Sequence, residues 1–372
     1  MIIGIDASRA FVQNRTGIEE YSYQAIKNLM NELKEHQVIL YIRRSQKSKV
    51  KSQKLPDNWK IKAIKWPYLW TQVGLSLELL FHPVDTLFIP AHTVPIIHPE
   101  NTIVTVHGLE YEFCPKAYSF WERVYMRLVI KNSVRWAKKI IAVSENTKRD
   151  LIKLYKVPEE KVGVVYNGVS LDCHSERSEA KSRNLIRSLD CARDDISKYL
   201  LFVGRLEERK NILGIVEAFE ILKEKHKIPH KLVLAGNAGY GYDSINLKIQ
   251  NSKFKEEIVF KGFVGEKEKF ELLRKAEIFL FPSFYEGFGL PILEAQSAGV
   301  PVVTSNISSM PEIAGSSAIL VDPNKPEEIA EAAFRLISEE SFKNDIINKG
   351  FENVKRFSWD KCSKEISKLF YA

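Results

Sequence analysis

The feature that most constrains this chain is an alternation that runs along it twice. Short β-branched runs alternate with stretches whose apolar residues fall three and four apart. In the first half the strand-like runs are Ile2 to Asp6, Val38 to Ile42, Ile61 to Ile64, Thr86 to Ile89, Ile103 to Val106, Ile140 to Val143 and Val162 to Val165. Helical spacing covers Glu19 to Leu33, Trp121 to Ala137 and Asn146 to Tyr155, the last entered through Ser144 as an N-cap. After a polar interruption the scheme restarts. Strands are expected at Tyr199 to Val203, Lys231 to Ala235, Ile258 to Phe260, Ile278 to Phe281, Pro301 to Thr304 and Ala318 to Leu320. Helices are expected at Ile212 to Lys225, Lys267 to Lys275, Leu290 to Ala298 and Pro326 to Ile337, followed by amphipathic segments at Ser341 to Phe357 and Trp359 to Tyr371.

Such alternation dictates a parallel sheet covered by helices on both faces, and 372 residues exceed what one core usually supports. The expected fold class is therefore α/β, with two Rossmann-like domains facing across a cleft. Residues 1–170 form the N-terminal Rossmann-like domain in this reading. Residues 171–198, rich in Ser, Arg, Asp and Glu, form a polar interdomain insertion, and residues 199–356 form the second domain. Residues 357–372 form a C-terminal helix that crosses back to the first domain. Ligands of open parallel sheets bind beyond the carboxyl ends of the strands, so functional residues are expected just after strands.

Composition excludes several classes. The apolar region from Leu69 to Ile97 is broken by Glu78, His82, Pro83 and Asp85, so no run is long enough to span a bilayer. The opening Met-Ile-Ile-Gly-Ile-Asp lacks a signal-peptide pattern, and Cys114, Cys173, Cys191 and Cys362 are scattered. A cytoplasmic protein with reduced thiols is expected. Cys173, His174 and Cys191 lack metal-ligand spacing.

The net charge of +8 is concentrated in residues 1–165, which hold 25 Lys and Arg against 16 Asp and Glu. Between Arg43 and Lys65, nine cations face only Asp57, with Trp59, Trp66, Tyr68 and Trp70 in or after the run. This suits either a solvated loop or a peripheral contact with an anionic membrane at its inner face. No nucleic-acid-binding module accompanies the charge, and no nucleic-acid partner is expected.

Two strand-to-helix loops in the second half carry the chemistry. Pro282-Ser-Phe-Tyr-Glu-Gly-Phe-Gly-Leu-Pro-Ile-Leu-Glu294 joins a carboxylate, a glycine-rich turn and a helix N-terminus. Gly287 and Gly289 permit close backbone approach, Pro291 suits a first helical turn, and the free amides of that turn can hold phosphate. A tight turn in which the glycines serve only geometry is the alternative. Val203-Gly-Arg-Leu-Glu-Glu-Arg-Lys-Asn211 also follows a strand, and Arg205 and Lys210 are cations suited to stabilising negative charge on a ligand. Glu207, Glu208 and Arg209 read as solvated.

The first of these loops resembles the Glu-x7-Glu motif of the retaining glycosyltransferases of family 4, and the Gly-Arg-x4-Lys spacing of the second matches as well. The resemblance implies that Glu286 contacts donor-sugar hydroxyls and Glu294 the ribose. The amides of Gly287, Phe288, Gly289 and Leu290 would serve phosphate and sugar. Gly204, Arg205 and Lys210 would hold the diphosphate, and backbone groups near Phe263 and Val264 the base. In the first half, Asn14-Arg-Thr-Gly-Ile18 carries over only the Gly17 amide, and Val104-Thr-Val-His-Gly108 only His107. On residue type alone, the first could be an ordinary helix entry and the second a structural histidine.

Val143-Ser-Glu-Asn-Thr147, Tyr166-Asn-Gly-Val169, Asn306-Ile-Ser-Ser-Met-Pro-Glu312 and Leu320-Val-Asp-Pro323 match further landmarks. Within the family, the Gly-Phe-Gly-Leu-Pro segment at 287–291 together with Gly239-Tyr-Gly-Tyr242 most resembles bacterial mannosyltransferases of surface polysaccharide synthesis. The implied activity is retaining, metal-independent hexosyl transfer to a glycan or lipid-linked acceptor, with GDP-mannose as donor substrate and no cofactor. A sugar-nucleotide epimerase or phosphorylase of the same fold is the nearest alternative, and a non-enzymatic anion- or membrane-binding protein the more distant one.

Overall fold

A computed structural model describes residues 1–12, 15, 17–47, 50, 54–169 and 198–371. The insertion at 171–198, with Cys173, His174 and Cys191, lies outside the described residues apart from Lys198. The chain divides into two compact units, Met1–Gly168 with Phe357–Ala372, and Val169–Arg356.

The first unit is built on a seven-stranded parallel sheet: β1 (Ile2–Asp6), β2 (Gln37–Arg43), β3 (Trp59–Ile64), β4 (Thr86–Ile89), β5 (Asn101–Val106), β6 (Lys139–Ala142) and β7 (Val162–Val164). Its order is β3-β2-β1-β4-β5-β6-β7. Layers on both faces explain why these strands are near-continuous apolar runs. One layer contains the Gly17–Glu32 helix and the Trp359–Leu369 helix, which buries Trp359, Cys362 and Ile366 against Tyr21, Ile26 and Phe88. The other contains the Phe120–Trp136 and Glu145–Tyr155 helices, with Trp70, Leu79, Ile130, Val134 and Leu151 inside. Gly168 shows why the Asn-Gly-Val landmark needs glycine: a Cβ there would lie 2.2 Å from the Trp359 amide nitrogen.

The second unit carries a six-stranded parallel sheet: β8 (Tyr199–Val203), β9 (Lys231–Ala235), β10 (Ile258–Gly262), β11 (Ile278–Phe281), β12 (Val302–Ser305) and β13 (Ile319–Val321). Its order is β10-β9-β8-β11-β12-β13, so the chain winds outward from β8 and then returns to build outward from β11. That reversal is a topological switch point, where adjacent loops diverge and leave a crevice at the carboxyl ends of the strands. The corresponding switch in the first sheet lies between β1 and β4.

The observed strands overlie the expected runs. Among the described residues four α-helices were not expected: Ser76–Phe81, Glu110–Phe113, Tyr242–Gln250 and Met310–Ala314. Trp59 and Trp70, read as candidates for membrane contact, belong to the core instead, because β3 and the turn after it direct them inward. Among the described residues, no helix is long and apolar enough to cross a membrane.

Candidate functional site

The loops leaving β8 and β11 flank the switch point of the second sheet. After β8 the chain passes through Gly204 and Arg205, makes a 3-10 turn at Glu208–Lys210, and enters the Ile212–His226 helix through Asn211. Asn211 adopts a left-handed conformation, accepts the Gly214 amide at 3.2 Å, and donates to the Pro323 carbonyl at 2.6 Å. The Gly204–Glu208 segment is zipped to the loop after β9. Leu206 N donates to Asn237 O at 2.8 Å, Gly239 N to Leu206 O at 2.9 Å and Glu208 N to Tyr240 O at 3.0 Å. Gly236 is the tightest point of this pairing, since a Cβ there would sit 1.9 Å from the Gly204 carbonyl oxygen.

Lys210 and Glu286, 76 positions apart, meet directly: the Lys210 ammonium donates to Glu286 Oε1. Arg209 Nη1 lies 3.3 Å from the same oxygen and 2.7 Å from the Tyr285 carbonyl, while its Nη2 bonds Glu207 Oε1 at 2.7 Å. Arg209 and Glu207 are therefore not solvated, contrary to the sequence reading. Tertiary contact with the β11 loop buries Arg209 and carries Glu207 with it, whereas Glu208 does face water.

Burial opposes ionisation of Glu286, but Lys210 and Arg209 outweigh it and hold the carboxyl below its usual range. Lys210 is also shifted downward, by burial and by Arg209, against the pull of Glu286. The two directions agree physically, because one carboxylate serves two cations. Lys210 also lies 4.9 Å from the centre of the Phe281 ring, a favourable cation–π distance.

The backbone around Glu286 is fixed from the β12 side. Ser308 Oγ accepts the Glu286 amide at 3.1 Å and donates to the Glu286 carbonyl at 2.7 Å. Ser309 Oγ lies within hydrogen-bonding distance of the carbonyls of Glu286 and Phe288, at 2.9 and 2.8 Å. Gly289, in the left-handed region at φ 101°, opens the Leu290–Ser297 helix, whose first turn leaves amides without intrahelical acceptors. Inside that helix Glu294 pairs with Lys269 at 2.8 Å. Phe263 and Val264 follow β10, and Phe263 is exposed. Arg205 is exposed on the β8 loop and makes no ion pair among the described residues.

In the first unit, Gly17 begins the helix after β1 and His107 follows β5. A Cβ on Gly17 would meet nothing within 4 Å, so the fold itself does not demand glycine there. The helix carries Glu19 and Glu20 in its first turn, paired with Arg9 at 3.3 Å and Arg15 at 2.6 Å. His107 Nε2 donates to the Pro90 carbonyl at 2.7 Å, and its ring packs edge-on to Tyr21. Its edge is partly accessible, yet burial of the ring pushes its pKa down to about 4. His92, after β4, is likewise lowered to about 4, by burial, His107 and Arg9. Sequence reasoning missed His92, as it missed Arg209, Ser308, Ser309 and Lys269. For His92 the position shortly after a strand was a usable signal. Among the described residues, no cluster of three or more His, Cys, Asp or Glu is arranged to hold a metal ion.

Two family models match the chain: Glycosyltransferase Family 4 over residues 15–172 and Glycosyl transferases group 1 over residues 191–353. O-antigen chain mannosyltransferase B of Escherichia coli is 32% identical over 267 residues, 72% of this chain and 69% of that protein. The chain belongs to glycosyltransferase family 4. The O-antigen chain mannosyltransferase RfbU of Salmonella typhimurium is 27% identical to this family 4 enzyme over 71% of the chain and 69% of its own length. The crystal structure of WaaG, a glycosyltransferase involved in lipopolysaccharide biosynthesis, superposes with a TM-score of 0.73 at 14% identity, covering 100% of this chain and 99% of WaaG. Sucrose-phosphate synthase from Thermosynechococcus elongatus gives 0.75 at 17% identity, covering 100% and 98%. These likenesses establish the GT-B fold. Family membership makes the chain a glycosyltransferase, so the non-enzymatic alternative falls.

Proposed function

We propose that this transferase moves mannose from GDP-mannose to a glycan or lipid-linked acceptor in surface polysaccharide synthesis. It acts in the cytoplasm, with retention at the anomeric carbon, and uses neither a metal nor a cofactor. The observation that carries the reading is the ionised Glu286 clamped between Lys210 and Arg209 at the switch point, with Arg205 exposed on the neighbouring loop. The similarity to two O-antigen mannosyltransferases supports mannose as the sugar.

In this mechanism Glu286 accepts hydrogen bonds from donor-sugar hydroxyls, and Glu294 from the ribose. Gly204 and the amides of Gly287, Phe288, Gly289 and Leu290 approach phosphate and sugar. Phe263 and Val264 border the base. The sugar C1–O bond breaks with its electron pair passing to GDP, and charge grows on the β-phosphate oxygens. Lys210 has three donors and spends one on Glu286, so it can share the others with that phosphate alongside Arg205. The acceptor hydroxyl attacks C1 from the face GDP leaves, and its proton passes to the departing diphosphate. In the first unit, by family resemblance, the Gly17 amide is the candidate phosphate contact. Neutral His107, with Nε2 committed to Pro90, is that unit's candidate catalytic residue and keeps Nδ1 as its remaining acceptor.

Incubation with GDP-mannose, UDP-glucose and UDP-galactose, each in EDTA with a polyprenyl-linked saccharide acceptor, tests this. Nucleotide release and product anomers are read by NMR. GDP-mannose should be preferred and should yield the α-mannoside. Preference for a UDP-sugar would overturn the donor, a β-mannoside the mechanism, and donor interconversion without acceptor would favour an epimerase.

A further inference from the structure

Glu294 meets one cation among the described residues. Its side chain, on the Leu290–Ser297 helix, is 13% exposed, and Lys269 Nζ donates to its Oε1 at 2.8 Å. Lys269, 12% exposed, comes from a different element, the Glu266–Lys275 helix. It sits near the start of that helix, where the unpaired amides favour negative charge over positive. Burial also opposes its charge, but Glu294 and Glu266 outweigh burial and hold the ammonium above its usual pKa. Glu266, at 3.0 Å, is itself exposed. A buried ion pair adds little net stability, since desolvating two charges offsets their attraction, and an apolar pair would join the two helices as well. The charge therefore points to a use beyond packing.

We propose that Lys269 is a positioning residue that presents the Glu294 carboxylate to the two hydroxyls of the donor's ribose. The inference rests on the reading of Glu294 as the ribose contact. A carboxylate has two oxygens, each able to accept more than one hydrogen bond. Lys269 fills one position on Oε1, and Oε2 has no donor among the described residues. The adjacent 2′- and 3′-hydroxyls of a ribose supply two O–H donors, which suits a carboxylate anchored on one side only. The ammonium serves this twice. Its charge offsets the cost of burying an anion, and its hydrogen bond fixes the carboxylate's orientation before the ligand arrives. The lysine's helix directly follows the loop of Phe263 and Val264, so the segment that borders the base in this reading also orients the group that accepts from the ribose.

Calorimetric titration of the full-length protein with GDP and with 2′,3′-dideoxy-GDP tests it, because the ratio of the two dissociation constants reports ribose recognition and does not depend on how much of a variant is folded. Wild type should prefer GDP roughly tenfold or more, since the analogue lacks both hydroxyl contacts to a charged acceptor. Lys269→Met and Lys269→Gln should each lower that preference to about threefold or less, by weakening GDP and not the analogue. Lys269→Arg, which keeps a charged donor, should restore most of it. Glu294→Ala should abolish the preference, and adding Lys269→Met to it should change nothing further. A preference lost in Glu294→Ala but kept in the Lys269 variants, both nucleotides weakening alike, would assign the lysine to helix packing and overturn its role alone. A preference that survives Glu294→Ala, or a wild type that binds the two nucleotides equally or not at all, would overturn it together with the ribose reading.

Discussion

Lys210→Met keeps the length of the side chain and removes its charge from a buried carboxylate. Stranding one partner of a buried ion pair costs about 3–5 kcal/mol when nothing else compensates the remaining charge. Here Arg209 Nη1 stays 3.3 Å from Glu286, so the loss should be nearer 2 kcal/mol. For a unit the size of Val169–Arg356 that corresponds to a drop of about 4–8 °C in Tm. The carboxyl pKa should rise, because burial then faces one cation instead of two. All six tryptophans lie in the first unit, at 59, 66, 70, 121, 136 and 359. Fluorescence therefore follows that unit, while far-ultraviolet circular dichroism follows both. Lys210→Met should lower the dichroism transition and leave the fluorescence transition in place. Adding Glu286→Gln should then cost less than it does in the wild type, with a coupling on the order of 1–2 kcal/mol. An unshifted transition, or equal costs of Glu286→Gln in both backgrounds, would refute the clamp.

Two glycines should behave oppositely. Gly236→Ala drives a methyl into the Gly204 carbonyl and should cost about 3 kcal/mol or more, seen as a lowered dichroism midpoint. Gly17→Ala meets open space, so stability should hold within about 0.5 kcal/mol while transfer falls; unchanged transfer would remove Gly17 from the donor site. His92 and His107 have folded pKa values near 4, below the unfolded value, so the unfolded state takes up protons first as the pH drops. Each should contribute on the order of 2–3 kcal/mol above about pH 6.5, lost progressively towards pH 4. The urea midpoint of the fluorescence transition should fall across that window and flatten in H92N/H107N; a pH-independent midpoint would contradict the burial argument.

The strands were legible because a parallel strand covered on both faces must be apolar at almost every position, a pattern that needs no knowledge of its neighbours. The Tyr242–Gln250 helix was not, since only Ile245 and Ile249 are buried and two residues define no period. Glu286, Lys210 and Gly289 were visible as residue types placed just after strands. The burial of Arg209 was invisible because its partners Tyr285 and Glu286 are 76 and 77 positions away. Ser308 and Ser309 likewise show their use only once β12 lies beside β11. The Phe120–Trp136 helix was found from its spacing, but spacing does not say which apolar stripe the sheet will cover.

Titration calorimetry of GDP-mannose in EDTA, against wild type, Arg205→Ala and Lys210→Met, tests the central claim most directly. Wild type should bind, and each variant should bind roughly tenfold or more weakly, since each loses a charge-assisted contact to the diphosphate. Folded wild type that binds no GDP-mannose, or variants that bind it as wild type does, would contradict the account.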